Sequence, residues 1–319
     1  MTKLYRNDVK VPCDVPESHV DNYVDNYLRA TRSTGRLMMF AGDQKIEHLN
    51  DDFYDSDGQI AVEDHCPNHL FSIASQSTIG VFAAQLGLVA HYGKDFPHIN
   101  YLVKLNSKSN LISLDQHEPL SQALWNIEDV INLQATSHLN IVGIGYTIYL
   151  GSEHETQMLA EAARLIKDAH RYGLLTCIWM YPRGKAVSDE KDAHLTAGAA
   201  GVAVCLGADF VKVNMPHDEE GHYTARALQE AVWAGGRTGV ICAGGGSKSA
   251  ADFLQQLHDQ IHIGGARGNA TGRNIHQRSL DEAVRFCNAI SAITLGDRDV
   301  DFALRVYQGQ EDFILTEDV

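Results

Sequence analysis

Short apolar runs alternate along the chain with segments of helical periodicity. Eight runs are predicted as strands, at 37–41, 80–84, 101–105, 140–144, 174–180, 210–213, 239–243 and 265–270. They are rich in Val, Ile and small residues, and most lack the polar–apolar alternation of a half-exposed strand. Strands buried on both faces have this composition, so the runs indicate a parallel sheet covered by helices.

Helical patterns fill the gaps between the runs. The clearest, 153–172, carries an apolar stripe that includes Met158 and Leu165, with Ser152 as its expected N-cap and Gly173 as its stop. Further helices are predicted at 193–206, 225–233, 250–258 and 280–293. An amphipathic segment at 20–32 precedes the first strand and is expected to cap the lower end of the sheet.

Eight strands with intervening helices predict a (β/α)8 TIM barrel with an N-terminal helical extension. The expected organisation is an extension at 1–36 packed on one barrel domain at 37–319. A doubly wound open sheet is the alternative, but the glycine fingerprint GxGxxG is missing after the first strand. In a barrel, chemistry sits at the carboxyl ends of the strands.

Two lysines lie inside apolar runs, Lys104 in YLVKLN and Lys212 in DFVKVN. Burial lowers the pKa of an amine and leaves a neutral nucleophile that can attack a carbonyl. The competing interpretation is a lysine that pairs with a carboxylate or binds a substrate phosphate, and each lysine taken alone fits it at least as well.

The fifth run ends in WMYPRGK, which places Trp179 and Tyr181 on one face of the strand. A phenol there is a candidate acid or base, although its ordinary pKa of about 10 requires help from a cation. Asp43, at the end of the first strand, is a candidate for orienting a hydroxyl or acting as base. Aromatic packing, a solvated Arg183 and an Asx turn at Asp43 are the alternatives.

Two glycine-rich turns follow the seventh and eighth strands, at 243–248 and 268–274. Such turns present backbone N–H groups to phosphate, and barrels place a phosphate site after these two strands. The first contains Gly244, Gly245 and Gly246, and the second contains Gly272 and Arg273. Ordinary flexible turns are the alternative.

Composition excludes several classes of protein. The chain has 319 residues, 26 basic and 41 acidic, for a net charge of −15, which argues against nucleic-acid and membrane partners. No apolar run is long enough to span a bilayer, and the start lacks a signal peptide. The six cysteines are spaced as free thiols, and the apolar runs around Cys177, Cys205 and Cys242 predict that these three are buried, in a protein of the reducing cytoplasm. The 16 histidines lack metal-ligand spacing, so no metal is expected.

The motifs FAGDQKIEH, IWMYPRGK, DFVKVN, CAGGGSKS and GNATGRNI, in this order, resemble the archaeal-type class I fructose-bisphosphate aldolases. Related aminodideoxyheptulosonate synthases and autoinducer-processing thiolases share the group. The resemblance covers about 37–295, and the 31 residues from Tyr181 to Lys212 agree with the family's spacing of its proton-transfer tyrosine and Schiff-base lysine. Asp-Gln-Lys replaces the usual Asp-His-Gly after the first strand, and residues 50–66 and the N-terminal segment are not covered.

The resemblance implies catalytic roles for Lys212 as the Schiff-base lysine, Tyr181 as the proton-transfer residue, Asp43 as the first-strand carboxylate and Trp179 as a lining residue. No cofactor is implied beyond the covalent Schiff base. The residues expected to bind the phosphorylated sugar are Gly244, Gly245, Gly246, Gly272, Arg273, Lys104 and Arg183. Family members form rings, so a homo-oligomer is implied as well.

The predicted activity is reversible cleavage of fructose 1,6-bisphosphate to dihydroxyacetone phosphate and glyceraldehyde 3-phosphate. A Schiff-base synthase or thiolase, a metal-dependent aldolase or isomerase, and a non-catalytic phosphosugar-binding barrel remain alternatives. The acidity is expected to belong to the outer helices, because six basic residues fall at or just beyond strand ends: Lys104, Arg183, Lys185, Lys212, Lys248 and Arg273.

Overall fold

Each of the eight apolar runs contributes a strand, and the strands pair in parallel in chain order until the eighth bonds to the first. The computed structural model describes residues 3–47, 50–109, 111, 118–218, 220–246 and 249–315. Its strands are β1 (Leu37–Ala41), β2 (Val81–Gln85), β3 (Asn100–Lys104), β4 (Asn140–Leu150), β5 (Leu175–Pro182), β6 (Phe210–Val213), β7 (Gly239–Ala243) and β8 (Gly268–Thr271). The predicted TIM barrel is confirmed.

Helices surround the barrel and cover its outer face. They are α1 (Val20–Thr31), α2 (Gln44–Glu47), α3 (Asn68–Gln76), α4 (Leu86–Tyr92), α5 (Ile127–Ser137), α6 (Glu155–His170), α7 (Ala193–Leu206), α8 (Leu228–Gly235), α9 (Ala250–His262), α10 (Arg273–His276), α11 (Leu280–Thr294) and α12 (Val300–Tyr307). Within the described ranges, none has the length and apolar character needed to cross a bilayer.

Several predicted boundaries differ from the observed ones, including that of α9, which continues to His262, and two of the differences have a physical reason. Strand β4 continues to Leu150 rather than ending at Ile144, because its mixed Gly, Tyr and Thr positions pair with β5 as far as Pro182. Helix α6 has His154, not Ser152, at its N-cap. The Ser152 hydroxyl instead donates to the carbonyl of Pro119 at 2.8 Å and fixes the turn that precedes the helix.

The core has two parts, separated by the barrel wall. Side chains on the outward faces of the strands pack against the helices in the larger cluster. The smaller cluster fills the barrel, and its strand residues alternate along the chain, as with Leu37 and Met39 on β1 or Leu175, Cys177 and Trp179 on β5. This period of two carries the polar residues at the strand ends into the mouth of the barrel.

Helix α1 closes the amino-terminal end of the barrel, as its amphipathic pattern predicts. The Asn26 amide donates to the carbonyl of Gly173 at 2.9 Å, and Arg32 donates to the carbonyl of Ile79 at 2.7 Å. The approach is close enough that a Cβ at Gly80 would lie 2.2 Å from the carbonyl oxygen of Ala30. The division of the chain at residue 36 stays a prediction.

A buried histidine joins the N-terminal segment to the barrel. The two ring nitrogens of His170 lie 2.9 Å from Asp14 and 3.2 Å from Asp209. Asp209 also accepts from the backbone N–H of Thr176 and from the hydroxyl of Tyr23. Burial alone would lower the pKa of His170, but the hydrogen bonds and charges of Asp209 and Asp14 outweigh it and raise the pKa to about 9.

The cysteines are free, as predicted, but one prediction about their burial is wrong. Cys177, Cys242 and Cys287 are buried, whereas Cys205 is exposed. Helix α7 is apolar around much of its circumference, so the apolar run at Cys205 does not reveal which side faces solvent.

The His170 pair makes a stabilising contribution that depends on pH. Because folding raises the pKa of His170 above its ordinary value, the contribution is complete below about pH 6.5 and is lost as pH rises through about 9. We expect the free energy of unfolding to fall by up to about 3 kcal/mol over this window. Denaturant titrations at a series of pH values measure it. His170→Gln should remove this part of the slope, and an unchanged slope in the variant would contradict the assignment.

Candidate active site

Four side chains that the sequence singles out come together at the carboxyl end of the barrel. Asp43 follows β1, Lys104 ends β3, Trp179 lies on β5 and Lys212 lies on β6, and all four are buried. Trp179 and Lys212 are directly opposed on paired strands. The convergence follows from parallel strands that present their inward positions at one rim.

The indole of Trp179 is flanked by the two lysines. The Nζ atoms of Lys104 and Lys212 each lie 5.1 Å from its ring centroid. Lys104 donates to the carbonyl oxygen of Asn106 at 3.0 Å and lies 4.0 Å from a carboxylate oxygen of Asp43. Lys104 is thus the lysine equipped to carry a buried charge.

Lys212 has a different environment. Within the described part of the chain, no hydrogen bond reaches its Nζ atom. Burial lowers the pKa of Lys212, and the neighbouring Lys104 lowers it further, while Asp43 and Cys177 oppose the shift. A buried amine with a lowered pKa is the form that can attack a carbonyl.

Several buried polar atoms around the lysines lack a protein partner in the described structure. They are Asp43 Oδ1, Gln85 Oε1, Thr147 Oγ1 and Trp179 Nε1, from four different strand ends. Such atoms are costly unless a bound molecule satisfies them. The mouth of the barrel therefore offers acceptors and donors to a hydroxylated ligand.

Tyr181 follows Trp179 by two residues on β5, lies on the same face of the strand and is partly exposed. Burial raises the pKa of its phenol well above the ordinary value, and the carboxylates of Glu47 and Asp43 raise it further. Arg183 opposes this shift without overcoming it. We expected a nearby cation to lower the pKa of this phenol. Arg183 does so, but burial and the two carboxylates raise the pKa by more, and the phenol keeps its proton.

Two further residues of the mouth, Tyr149 and Thr147, were missed from the sequence. Tyr149 is buried, lies opposite Tyr181 across paired strands and donates to the carboxylate of Glu47. Thr147 lies opposite Trp179 in the same register. Strand β4 was predicted to end before both, and the available signal was the alternation of Gly145, Thr147 and Tyr149 on one face.

Arg183 reaches the site but is already paired. Its guanidinium carbon lies 5.6 Å from the ring centre of Tyr149 and 5.8 Å from that of Tyr181. It also makes two hydrogen bonds of 2.8 Å to Glu190. Its predicted contact with substrate stays a prediction, and any anion it binds must share it with Glu190.

The first glycine turn is tied to the second. The side-chain amide of Asn274, in α10, donates to the carbonyls of Gly244 at 3.4 Å and Gly246 at 3.1 Å. Gly245 has a φ of +70°, which favours glycine. The two predicted phosphate turns therefore form one surface. Lys248, the basic residue expected there, lies outside the described residues.

The second turn, Gly272–Arg273, packs against the residues that follow β1. A Cβ at Gly272 would lie 2.4 Å from Gln44 Oε1 and 2.7 Å from the carbonyl oxygen of Ala41. Arg273 lies 3.7 Å from a carboxylate oxygen of Asp52, and its buried Nε atom has no partner in the described structure. The guanidinium therefore retains a donor for an anion.

Two other features could mark a different site in the described part of the chain, a cluster of metal ligands and a large cavity. The described residues contain no group of three His, Cys, Asp or Glu side chains arranged to hold a metal ion. A cavity of about 890 Å³ lies at the opposite end of the barrel beside Arg29 and Asn100. The chemistry of the side chains, not the size of the cavity, locates the candidate active site.

Comparison with known proteins identifies the class. Residues 37–278 match the model of the DeoC/LacD family of aldolases. A Methanocaldococcus jannaschii protein named fructose-bisphosphate aldolase/6-deoxy-5-ketofructose 1-phosphate synthase is 56% identical over 307 residues, covering 96% of this chain and 97% of that protein. A class 1 fructose-bisphosphate aldolase of Thermoproteus tenax is 30% identical over 286 residues, covering 89% and 99%.

Solved structures agree with this result. The fructose-bisphosphate aldolase of Slackia heliotrinireducens is 57% identical and superimposes with a TM-score of 0.95, covering 99% of both chains. An archaeal fructose-1,6-bisphosphate aldolase, described with its catalytic Lys covalently bound to the carbinolamine intermediate of the substrate, is 29% identical with a TM-score of 0.72, covering 86% and 100%.

The chain belongs to the DeoC/LacD family of aldolases and, within it, to the class I fructose-bisphosphate aldolases. It is a lyase of carbon–carbon bonds whose family acts on phosphorylated sugars. The family works through a Schiff base on a lysine and needs no metal cofactor.

The packing at Gly272 gives a testable consequence. Gly272→Ala should destabilise the fold by about 1–3 kcal/mol, because the methyl group must displace the Gln44 amide or the β1 backbone. Gly246→Ala is the matched control, since a Cβ there meets nothing within 4 Å. Denaturant unfolding measures both, and equal stabilities for the two variants would contradict the described packing.

Proposed function

We propose that the chain cleaves fructose 1,6-bisphosphate reversibly, with Lys212 as the Schiff-base nucleophile. The observation that carries this proposal is the pair of buried lysines flanking Trp179, only one of which has a hydrogen-bond partner in the described structure. The family assignment supports the reaction type, and the geometry supports the choice of residue.

The choice between the lysines rests on charge. Lys104 is held by the carbonyl of Asn106 and lies near Asp43, two contacts that compensate a buried positive charge. The charge of Lys104 lowers the pKa of Lys212, so Lys212 loses its proton more readily. Lys104 is therefore assigned to charge balance and substrate contact, and Lys212 to attack.

The steps follow from these roles. The lone pair of Lys212 Nζ attacks C2 of the sugar, and loss of water gives an iminium. Asp43 takes the proton of the C4 hydroxyl while the C3–C4 electrons move into the iminium, which releases glyceraldehyde 3-phosphate and leaves an enamine. Tyr181, which keeps its proton, protonates C3, and water then frees dihydroxyacetone phosphate and Lys212. The proton that Asp43 took from the C4 hydroxyl returns to the Tyr181 phenolate, which restores both groups for the next turnover.

The phosphates extend the substrate along the rim. We assign one phosphate to the backbone N–H groups of the turns at 244–246 and 272–273, with Arg273 as the cation. This placement is supported by the Asn274 bonds that join the turns and by the unpartnered Nε atom of Arg273.

A second candidate is synthesis of 6-deoxy-5-ketofructose 1-phosphate, which also appears in the name of the 56% identical relative. Cutting this sugar between C3 and C4 gives the same dihydroxyacetone phosphate and the aldehyde 2-oxopropanal. The product lacks a second phosphate. The pairing of Arg183 with Glu190 favours this candidate, because it leaves less free positive charge at that part of the rim.

Trapping by sodium borohydride tests the nucleophile. Incubation with dihydroxyacetone phosphate and borohydride should place a mass adduct on Lys212, and Lys212→Ala should lose both the adduct and cleavage of fructose 1,6-bisphosphate. Lys104→Met is the control, and it should still give an adduct on Lys212. An adduct on Lys104 in the unmodified chain would overturn the assignment. Coupled assays of both candidate reactions on the same preparation decide between the two sugars.

A further inference from the structure

A buried histidine stands beside the barrel mouth and has no role in the steps above. His276 ends α10, directly after the Gly272–Arg273 turn, and is fully buried. Its Nδ1 atom lies 2.7 Å from a carboxylate oxygen of Asp64, which is also buried. Burying such a pair is costly unless its geometry is well satisfied, so the ring is held in one orientation.

The other nitrogen of His276 points toward the catalytic turn. Its Nε2 atom lies 3.2 Å from Oε1 of Gln44, the residue next to Asp43. The Gln44 amide also occupies the space where a Cβ at Gly272 would lie. His276 therefore contacts the side chain that separates the candidate base from the phosphate turn.

Residues 50–66, which the family motifs do not cover, build the support for this contact. They contribute Asp64 and also Phe53, whose ring stacks on that of His276 with centroids 4.5 Å apart. Lys45 lies over the same phenyl ring, with Nζ 4.0 Å from its centre. Both residues that follow Asp43 are therefore tied to residues 50–66. Lys45 contacts Phe53 directly, and Gln44 contacts His276, which in turn contacts Asp64 and Phe53.

Hydrogen bonds to Gln277, the residue after α10, attach residues 50–66 to the rim of the barrel. The backbone N–H of Ala61 donates to the carbonyl of Gln277 at 2.9 Å, and the Gln277 amide donates to the carbonyl of Asp52 at 2.9 Å. The carbonyl of Asp43 is fixed from the other side by the amide of Gln85 at 2.7 Å. Gln85 therefore holds the backbone of Asp43 directly, and His276 holds the side chain of the next residue, Gln44.

We propose that His276 is a positioning residue: oriented by Asp64, it fixes Gln44 and thereby the carboxylate of Asp43 relative to the phosphate turn at Gly272. The inference rests on the proposed function, because it takes Asp43 as the base. It assigns residues 50–66 a role in turnover rather than in folding alone.

The test compares two buried histidines at opposite ends of the barrel. His276→Gln should lower kcat for cleavage of fructose 1,6-bisphosphate by about tenfold, with KM changed less than twofold, because a displaced base slows the bond-breaking step more than binding. His170→Gln removes a similar buried pair far from the mouth and should leave both constants unchanged while lowering the unfolding midpoint.

Three further variants, one at Gln44 and two at Asp64, separate positioning from stability. Gln44→Met leaves the His276–Asp64 pair in place and should lower kcat by a similar factor. Asp64→Ala should resemble His276→Gln, and Asp64→Asn should recover most of the loss, because its amide oxygen still accepts from Nδ1. Combining Gln44→Met with Asp64→Ala should give little additional loss.

The outcomes distinguish this inference from the proposed function. Unchanged kcat in Gln44→Met and in His276→Gln, with wild-type cleavage normal, would overturn the positioning role alone. A wild-type chain that neither cleaves the bisphosphate nor traps dihydroxyacetone phosphate on Lys212 would overturn the proposed function. A loss of kcat in His170→Gln equal to that in His276→Gln would also overturn the positioning role, because the loss of kcat would then follow from destabilising the fold at either end of the barrel.

Discussion

Two lysine amines are buried around a single indole, and the low-dielectric interior does not readily hold both as ammonium ions. The protein gives Lys104 a hydrogen bond to the carbonyl of Asn106 and a contact with the carboxylate of Asp43. Lys212 has no hydrogen bond to its Nζ atom in the described structure; burial and the charge of Lys104 lower its pKa, and the opposing influence of Asp43 and Cys177 does not reverse this shift. The charge of one lysine therefore favours the neutral, nucleophilic form of the other.

The rest of the barrel maintains this arrangement. Its lower interior is filled with apolar side chains and closed by α1, so the mouth is the open end from which substrate reaches the lysines. At the rim, Asn274 joins the two glycine-rich turns that we propose bind phosphate, and residues 50–66 hold the turn after β1 through His276. In the proposed function, the backbone N–H groups of these turns and the guanidinium of Arg273 offset the net charge of −15 where an anionic substrate binds.

The sequence predicted what depends on local pattern. The apolar runs located every strand, and period-two alternation placed Trp179 and Tyr181 on the inner face. It did not reveal Tyr149, because the end of β4 depends on pairing with β5 rather than on its own composition. Nor did it reveal the His276–Asp64 pair, whose members are far apart in the chain and meet only when the barrel closes.

Whether burial and the charge of Lys104 make Lys212 a neutral nucleophile can be tested by measuring the pKa of Lys212. This pKa can be measured as the pH dependence of the rate at which dihydroxyacetone phosphate and borohydride label this lysine, with mass spectrometry to confirm the position. We expect a midpoint below the ordinary lysine value of 10.5, and a rise toward that value in Lys104→Met, where the neighbouring charge is gone. A midpoint at the ordinary value in the unmodified chain, unaffected by Lys104→Met, would contradict it.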